Sequence, residues 1–147
     1  MAKCQMLMPD NFLERLSKLG KKTDEISKEV LKAGGEVALQ KVKSNLDAVI
    51  GHGLAHDSRS TDELPGELQR SLGLSPPLID SNGNMNVKIG FYDPRSDGEI
   101  NAKIANVIEH GKHGQPARPF LARAKRQSKK LCEAAMIKKF EEELKKI

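Results

Sequence analysis

The sequence contains very few aromatic residues. Its 147 residues include no tryptophan, one tyrosine and four phenylalanines, while hydrophobic residues make up 37% and charged residues 31% of the chain. A core built from this composition must be mainly aliphatic, and modes of nucleic-acid binding that stack bases on exposed aromatic rings are poorly supported. The length predicts a single domain, residues 1–147, with a modest core that association with other subunits would help to stabilise.

Paired cysteines and long apolar runs are also lacking. Cys4 and Cys132 form no Cys-x-x-Cys pair, which argues against a zinc ribbon or a redox motif and favours free thiols in a reducing compartment. No apolar run approaches the ~18 residues of a membrane span, and the N-terminus has no apolar region of the signal-peptide kind. We therefore expect no membrane partner and synthesis in the cytoplasm.

The common catalytic and cofactor-binding motifs are missing too. There is no Gly-x-Gly-x-x-Gly, Walker or Gly-x-Ser-x-Gly sequence. Glu109, His110 and His113 could form a general-base pair or part of a metal site, but the sequence has no local signature of a nucleophile or a third ligand for them. His52 and His56 are four residues apart, with Asp57 next, but Gly51 and Gly53 make a poor helix there and no glutamate holds the His-Glu-x-x-His position. We predict no catalytic, cofactor-binding or metal site. The alternative, a hydrolase or metal enzyme that uses the four histidines, predicts bound metal in the purified protein.

Positive charge is concentrated near the C-terminus. The net charge of the chain is +5, and residues 118–147 contain ten Lys or Arg and four Glu, a net charge of +6. A basic face favours an anionic partner such as nucleic acid or an acidic protein surface, although a solvated helix face explains the same pattern.

The first third of the chain has helical periodicity. An N-terminal helical arm is predicted over residues 1–22, with Gly20 ending its helix, and a second helix is predicted from Thr23 or Asp24 to about residue 50. Two adjacent glycines, residues 34–35, fall inside the second helix, where either the helix bends or another part of the chain packs closely. Residues 51–66 lack periodicity and are rich in Gly, Ser and Asp, which predicts a mobile loop.

The middle of the chain resembles a β-hairpin. Apolar and polar residues alternate over residues 84–91, as in a strand with one buried face, and Asn82-Gly83 supplies the turn. The first arm is predicted over residues 67–80, and Pro76-Pro77 indicates that it is an edge strand or carries a bulge.

Two further helices are predicted after the hairpin. The first spans about residues 96–110, and the second is a long, basic, amphipathic helix that has Pro119 in its first turn. The fold class is therefore α+β, with N-terminal helices, a small antiparallel sheet built on a hairpin, a third helix and a long basic C-terminal helix packed on the sheet. The predicted apolar face of this last helix consists of Leu121, Ala124, Leu131, Ala135, Phe140, Leu144 and Ile147.

The stretch "EHGKHGQPARPF", residues 109–120, separates these two helices. Its glycines release the first helix and its prolines stiffen the connection, which predicts a joint that sets the angle between the helices. Phe120 and Leu121 are predicted to anchor the last helix to the core, and Arg118 to remain available for a carboxylate or carbonyl partner.

Several short motifs, taken in order, resemble a known protein family. "GELQRSL" before the hairpin, "VKIGF" in its second strand, "IANVIEHG" and "QPARPFLARA" follow the order found in neck, or head-tail joining, proteins of long-tailed bacteriophages. The chain is similar to the minor tail protein Z type of lambdoid phages over about residues 25–145.

This resemblance implies a non-enzymatic structural protein of a phage or prophage virion, acting at the head-tail junction, in the neck or in tail completion. It implies a homo-oligomeric ring, other neck and tail proteins as partners, no cofactor, and assembly in the host cytoplasm. The structural or interface candidates are Glu109, Gly111, Pro116, Arg118, Pro119, Phe120 and Leu121, and the possible DNA-facing residues are Lys125, Arg126, Lys129 and Lys130. The alternative is a small basic nucleic-acid-binding module.

Overall fold

Two long antiparallel helices form the frame of the fold. The computed structural model describes residues 10–51, 67–92 and 100–147, and in it helix α1 spans Asp10–Gly51 while helix α4 spans Leu121–Leu144. The side-chain amide of Asn45, near the end of α1, donates a 3.0 Å hydrogen bond to Gln127, near the start of α4. Gly34, further back along α1, approaches Met136 instead. The two helices therefore run in opposite directions.

Four short strands and two shorter helices complete the described chain, which confirms the predicted α+β class. None of the described helices is long and apolar enough to cross a membrane. In chain order the remaining elements are α2 (Glu67–Ser71), β1 (Leu72–Leu74), β2 (Leu78–Ile79), β3 (Met85–Asn86), β4 (Ile89–Phe91) and α3 (Asn101–His110).

Helix α1 is continuous where the sequence predicted two helices. Gly20 lies inside it, because one glycine costs a helix only about 1 kcal/mol relative to alanine. The Thr23 hydroxyl donates a 2.9 Å hydrogen bond back to the carbonyl of Leu19 instead of capping a new helix. A 2.7 Å ion pair between Glu14 and Lys18 supports the turn before the glycine. The predicted break at residues 20–24 is therefore wrong.

The two glycines inside α1 allow close packing on two sides. A Cβ atom at Gly34 would lie 2.7 Å from Met136 of α4, and one at Gly35 would lie 2.8 Å from Leu74 of the hairpin. Of the two alternatives that the sequence left open, close approach of another part of the chain is the one that the structure supports. The same two residues thus place α4 and the hairpin on α1.

The hairpin consists of two antiparallel ladders with a bulge between them. β1 pairs with β4 and β2 pairs with β3, and between the ladders the first arm has three residues, 75–77, where the second has two, 87–88. The extra residue coincides with Pro76-Pro77, which cannot donate to a ladder. Ser75 joins the two arms at the bulge. Its amide donates a hydrogen bond to the Lys88 carbonyl (2.7 Å), and its hydroxyl accepts one from the Lys88 amide (2.9 Å). The predicted bulge is confirmed.

Both ends of the hairpin differ slightly from the prediction. The turn includes Asn82 and Gly83, but its central residues are Ser81 and Asn82, because the Gly83 amide donates a 3.0 Å hydrogen bond to the Asp80 carbonyl. The carboxylate of Asp80 also accepts 2.9 Å hydrogen bonds from the amides of Asn82 and Asn84. The first arm begins later than predicted, because residues 67–71 form α2 rather than strand. Leu68 of α2 is buried in the core, which a helical turn permits.

The core lies where α1, the hairpin, α3 and the start of α4 meet. It is small and mainly aliphatic, as the composition predicted, and Phe120 is its one aromatic member with no exposed surface. Asn101, also buried, donates a 2.7 Å hydrogen bond to the Tyr92 carbonyl and so ties the start of α3 to the end of β4. The buried members are Val42, Leu46, Leu68, Ala105, Ile108, Phe120 and Ala124.

The face that α4 turns towards α1 differs from the predicted apolar face. Ala124 and Ser128 are buried, and the contact continues at Cys132 and Met136, which approach Gly34. Leu131 and Phe140 were predicted to lie on this face but are 57% and 43% exposed. Leu131 lies about 60° around the helix from Ser128, beside the contact. Phe140 follows Met136 by four residues and so lies at the end of the contact stripe, where it is only partly covered.

Some predictions lie outside the described residues. These are residues 1–9 of the N-terminal arm, residues 52–66 of the predicted mobile loop, and the start of the third helix at residues 96–99. The single domain, the arm and the loop stay predictions.

Candidate functional site

A single carboxylate joins the end of α3 to the start of α4. Glu109 Oε2 accepts 2.8 Å hydrogen bonds from the amides of Phe120 and Leu121, and Oε1 accepts a 3.0 Å bond from the amide of Ala122. The first amides of a helix have no partner inside it, and α4 has no side-chain cap of its own at Phe120. Glu109 therefore supplies the cap of α4 from a neighbouring helix.

The environment of Glu109 favours its charged form. Burial alone raises the pKa of this carboxyl group, but the hydrogen bonds from the amides of Ala122, Leu121 and Phe120, together with an electrostatic contribution from His110, lower it, and the net pKa is lowered. The positive end of the α4 dipole acts in the same direction. A carboxylate held in this way is a structural anion at a helix terminus.

The chain between the two helices folds tightly against Gly111. Gly111 ends α3, as predicted, with φ of 76° and with its amide bound to the Val107 carbonyl at 2.8 Å. A Cβ atom at this position would lie 2.7 Å from the amide nitrogen of Ala117 and 2.8 Å from the carbonyl oxygen of Gln115. The Arg118 amide then donates a 2.8 Å bond to Ile108, which returns the chain to α3.

Phe120 fixes the start of α4 in the core. Its ring meets that of Phe91 edge to face, with ring centroids 6.4 Å apart, and its carbonyl accepts a 3.4 Å bond from Asn45 of α1. Leu121 is half-buried against the same core. Pro119 is exposed and lies before the helix, whose first residue is Leu121. Pro119 therefore precedes the first helical turn, and the prediction that it occupies that turn is wrong. The amides that Glu109 holds are those of residues 120–122.

A surface cavity of about 330 Å³ opens beside this joint. Val49 and Pro119 contribute apolar surface to it, and Arg118 and Arg123 contribute charge. Within the residues that the structure describes, neither guanidinium group forms an ion pair. Guanidinium groups bind carboxylates and phosphates in a two-pronged geometry, so the cavity suits an acidic group with an adjacent apolar surface.

The positive charge of the last helix lies in its first half. Residues 121–130 contain Arg123, Lys125, Arg126, Lys129 and Lys130 and no acidic residue, a net charge of +5, and all five are exposed. Residues 131–147 contain four Lys and four Glu and are neutral overall. The four predicted DNA-facing residues thus lie in the first half of α4, whose Arg123 lines the same cavity as Arg118.

Comparison with known proteins identifies the family. A family model described as "Bacteriophage HK97-gp10, putative tail-component" matches residues 10–111, more than two thirds of the chain. The chain belongs to this family. No curated protein and no solved structure shows significant similarity to this tail component.

The match covers α1, α2, the hairpin and α3, and it ends at the glycine that closes α3. The described part of the tail component that lies beyond it is the joint and the basic helix α4. The predicted phage tail family is confirmed. The narrower similarity to the minor tail protein Z type stays a prediction, and "QPARPFLARA", the most specific stretch of that resemblance, falls outside the matched residues.

The histidines of the tail component do not gather into a site within the described chain. His110 and His113 are exposed, whereas His52 and His56 lie outside the described residues. No group of three potential metal ligands is found in residues 10–51, 67–92 and 100–147. Glu109, the carboxylate that a general-base reading would need, is occupied by three amides.

The role of Glu109 as a cap was not foreseen from the sequence. One signal was present: the last helix begins "PFLARA" and has no Ser, Thr, Asp or Asn at its start, although such residues usually bind the first amides of a helix. A helix that starts without a local acceptor needs one from elsewhere in the fold. Glu109, two residues before Gly111, is the acceptor that the fold supplies.

Proposed function

We propose that this tail component acts at the head-tail junction, in neck assembly or tail completion, as a non-enzymatic structural protein. Membership of the tail-component family supports a role in the virion. The observation that carries the narrower proposal is the acid-free, exposed first half of α4, because the genome must pass through the junction and phosphate contacts need only closely spaced cations. Assembly in the host cytoplasm belongs to the same proposal.

A structural rather than catalytic role agrees with the state of the buried carboxylate. The two carboxylate oxygens of Glu109 accept hydrogen bonds from three backbone amides. The lowered pKa of this group makes it a poor base. The joint holds α4 at a fixed angle on the core. A protein that transmits contacts between neighbours in a virion needs such rigid connections between its elements.

The proposed homo-oligomeric ring uses the surface of the joint. Among the interface candidates, Glu109 and Phe120 are buried and act within the chain, whereas Pro116 and Pro119 are exposed. Arg118 lines the surface cavity. We propose that these accessible residues, together with the predicted arm at residues 1–22 and the predicted loop at residues 51–66, meet neighbouring neck and tail proteins.

The position of this protein in assembly is tested by removing it from the phage that encodes it. A nonsense codon in its gene should yield DNA-filled heads and tails of normal length that stay separate, and addition of the purified protein to such a lysate should restore infectious particles. Missing tails, or tails of abnormal length, would instead place the protein in tail-tube assembly and would contradict a role at the junction.

Contact with DNA is a separate part of the proposal and has its own test. Reversal of charge at Lys125, Arg126, Lys129 and Lys130 should reduce DNA retention in joined particles, whereas reversal at Lys18, Lys21, Lys22 and Lys28 of α1 should not. Unchanged assembly yield and unchanged DNA retention in the α4 variant would rule out the contact.

Residues 121–130, the basic segment of α4, also support a second candidate function, a small nucleic-acid-binding module. This function predicts that the purified protein binds duplex DNA and that log K falls with log salt concentration with a slope of about −0.9 for each phosphate contacted. A titration at low salt that shows no binding would remove this candidate. It would leave the junction role to be decided by the phage experiment.

A further inference from the structure

One side of α4 has no partner in the described part of the chain. Arg126, Lys130, Glu133, Ile137 and Glu141 follow one another at spacings of three or four residues, which places them on one side of the helix. We call this stripe, with Phe140, the outer face. The buried residues Ala124 and Ser128 belong to the opposite side, which packs on α1.

The outer face presents apolar side chains to solvent. Ile137 is 60% exposed and Phe140, one turn further on, is 43% exposed. The contacts of α4 within the described chain are made mainly to α1, on the side of the helix opposite Ile137. Phe140 is partly covered and lies at the edge of the outer face, so Ile137 is its most exposed apolar residue. Adjacent exposed apolar residues surrounded by charge are typical of a protein-protein contact.

The order of charges along α4 indicates what fits this face. On the outer face the two cations, Arg126 and Lys130, come before the two carboxylates, Glu133 and Glu141. A second α4 packed in parallel would bring Lys130 opposite its own copy. A second α4 packed antiparallel brings Lys130 opposite Glu141, and the twofold symmetry of the pair repeats this contact. Ile137 then falls between the two ion pairs.

We propose that two copies of this chain associate through the outer faces of their α4 helices, antiparallel about a twofold axis, with Lys130 opposite the partner subunit's Glu141. Ile137 and Phe140 form the apolar centre of the contact. The contact needs only the purified chain, so it goes beyond the proposed role at the head-tail junction and does not depend on it. It engages Lys130, one of the four residues proposed to face DNA, so the dimer is a state of the free protein in which Lys130 does not contact DNA.

The charge pairing is tested by reversal and rescue. The mass of the full-length protein should be measured by sedimentation over a range of concentrations. The wild-type protein should form a dimer, and Lys130→Glu or Glu141→Lys alone should weaken it by about tenfold or more, because each change places like charges together twice in the dimer. The double variant Lys130→Glu/Glu141→Lys should recover most of the lost affinity.

Matched controls on the same helix separate this contact from a general loss of charge or apolar surface. Lys138→Glu alters an exposed cation that lies about 100° around the helix from Ile137, and it should leave the dimer intact. Ile137→Gln should weaken the dimer by at least about tenfold. Leu131→Gln removes an equally exposed apolar residue from another side of α4 and should not.

Several results would overturn the proposal. A protein that stays monomeric at all concentrations has no such contact. A double variant that binds no better than either single variant, or a dimer that survives all of these changes, shows that the two faces do not meet in this register. Dimers that form and respond as expected would support the contact whether or not the phage experiment places the protein at the junction.

Discussion

Glu109, the penultimate residue of α3, accepts a 2.8 Å hydrogen bond from the backbone amide of Phe120, the residue immediately before α4. Both partners are buried. The bond therefore links the end of one helix to the start of the next in a place where water cannot replace it. This contact between two residues that are eleven positions apart holds the start of α4 on the core, while the packing of α4 along α1 sets the direction of the rest of the helix.

Removal of the carboxylate should destabilise the protein. Glu109→Ala leaves buried amides without an acceptor, which costs about 1–3 kcal/mol in the free energy of unfolding. Glu109→Gln keeps one oxygen acceptor and should cost less. Urea denaturation followed by circular dichroism measures both. The control Glu133→Ala removes an exposed glutamate from α4 and should change the stability by no more than about 0.5 kcal/mol. Equal effects of Glu109→Ala and Glu133→Ala would contradict the capping role.

The contribution of Glu109 should depend on pH. Its pKa is lowered in the folded protein relative to the ordinary value of 4.5, so the unfolded chain binds the proton more tightly than the folded protein does. The stabilisation is therefore fully present above the unfolded-state pKa and is lost as the pH falls through the folded-state pKa. The difference in unfolding free energy between the wild type and Glu109→Gln should be constant from pH 7 to about pH 5.5 and should shrink below about pH 4.5.

Comparison with the variant is what isolates this effect. Glu14 and Glu143 also have lowered pKa values, because Lys18 binds the first and Lys146 and Lys139 bind the second. These groups titrate equally in both proteins, so their contributions cancel in the difference. A difference that grows as the pH falls would show that Glu109 is not held as a carboxylate.

The contrast between Phe120 and Glu109 shows what the sequence could reveal. The sequence predicted Phe120 as the anchor of the last helix, because a lone aromatic residue at the start of an amphipathic helix usually belongs to a core, and it has no exposed surface. The partner of Glu109 could not be predicted in the same way. It is a set of backbone amides, which have no residue-type signal, and their position depends on how the chain turns at Gly111.

The long helices also have some features that the sequence could predict and others that it could not. Periodicity correctly indicated helical structure over most of residues 10–51, but it could not show that Gly20 is tolerated, since a helix continues through a glycine when its neighbouring turns are supported. The face of α4 was partly misread for a related reason. Leu131 and Phe140 are as apolar as the residues that face α1, and only the crossing at Gly34 and Met136 fixes which side of α4 is covered.

Loss of the Phe120 ring should be among the most damaging changes to the fold. Phe120→Ala removes a fully buried side chain and its edge-to-face contact with Phe91, which should lower the free energy of unfolding by about 3–5 kcal/mol. Leu131→Ala, at a position that is more than half exposed, should cost less than about 1 kcal/mol. Thermal unfolding of the two variants gives the comparison, and full thermal stability of Phe120→Ala would show that the anchor is elsewhere.

Two glycines of the joint provide the sharpest test of its geometry, because both have a positive φ and they differ in their surroundings. Gly111 has φ of 76° and Gly114 has φ of 77°, so alanine at either position is strained by a positive φ, at a cost of about 1–2 kcal/mol. The ψ of Gly111 is 176°, and this combination of angles is essentially restricted to glycine, which adds to the strain there. At Gly114 the new methyl group meets nothing within 4 Å, whereas at Gly111 it would lie 2.7 Å from a backbone nitrogen. Backbone atoms cannot move aside as a flexible side chain does, so Gly111→Ala should cost at least about 1 kcal/mol more than Gly114→Ala.

The two variants should also differ at the start of α4. Accommodation of the methyl group at Gly111 must displace the chain near Ala117 or shift the end of α3, and either movement pulls Glu109 away from the amides of residues 120–122. Hydrogen exchange at these three amides should therefore become faster in Gly111→Ala and remain near the wild-type rate in Gly114→Ala, since exchange reports the local opening of a hydrogen bond. Equal protection in both variants would mean that the cap on α4 does not depend on the tight packing at Gly111, and that the joint is less rigid than its contacts indicate.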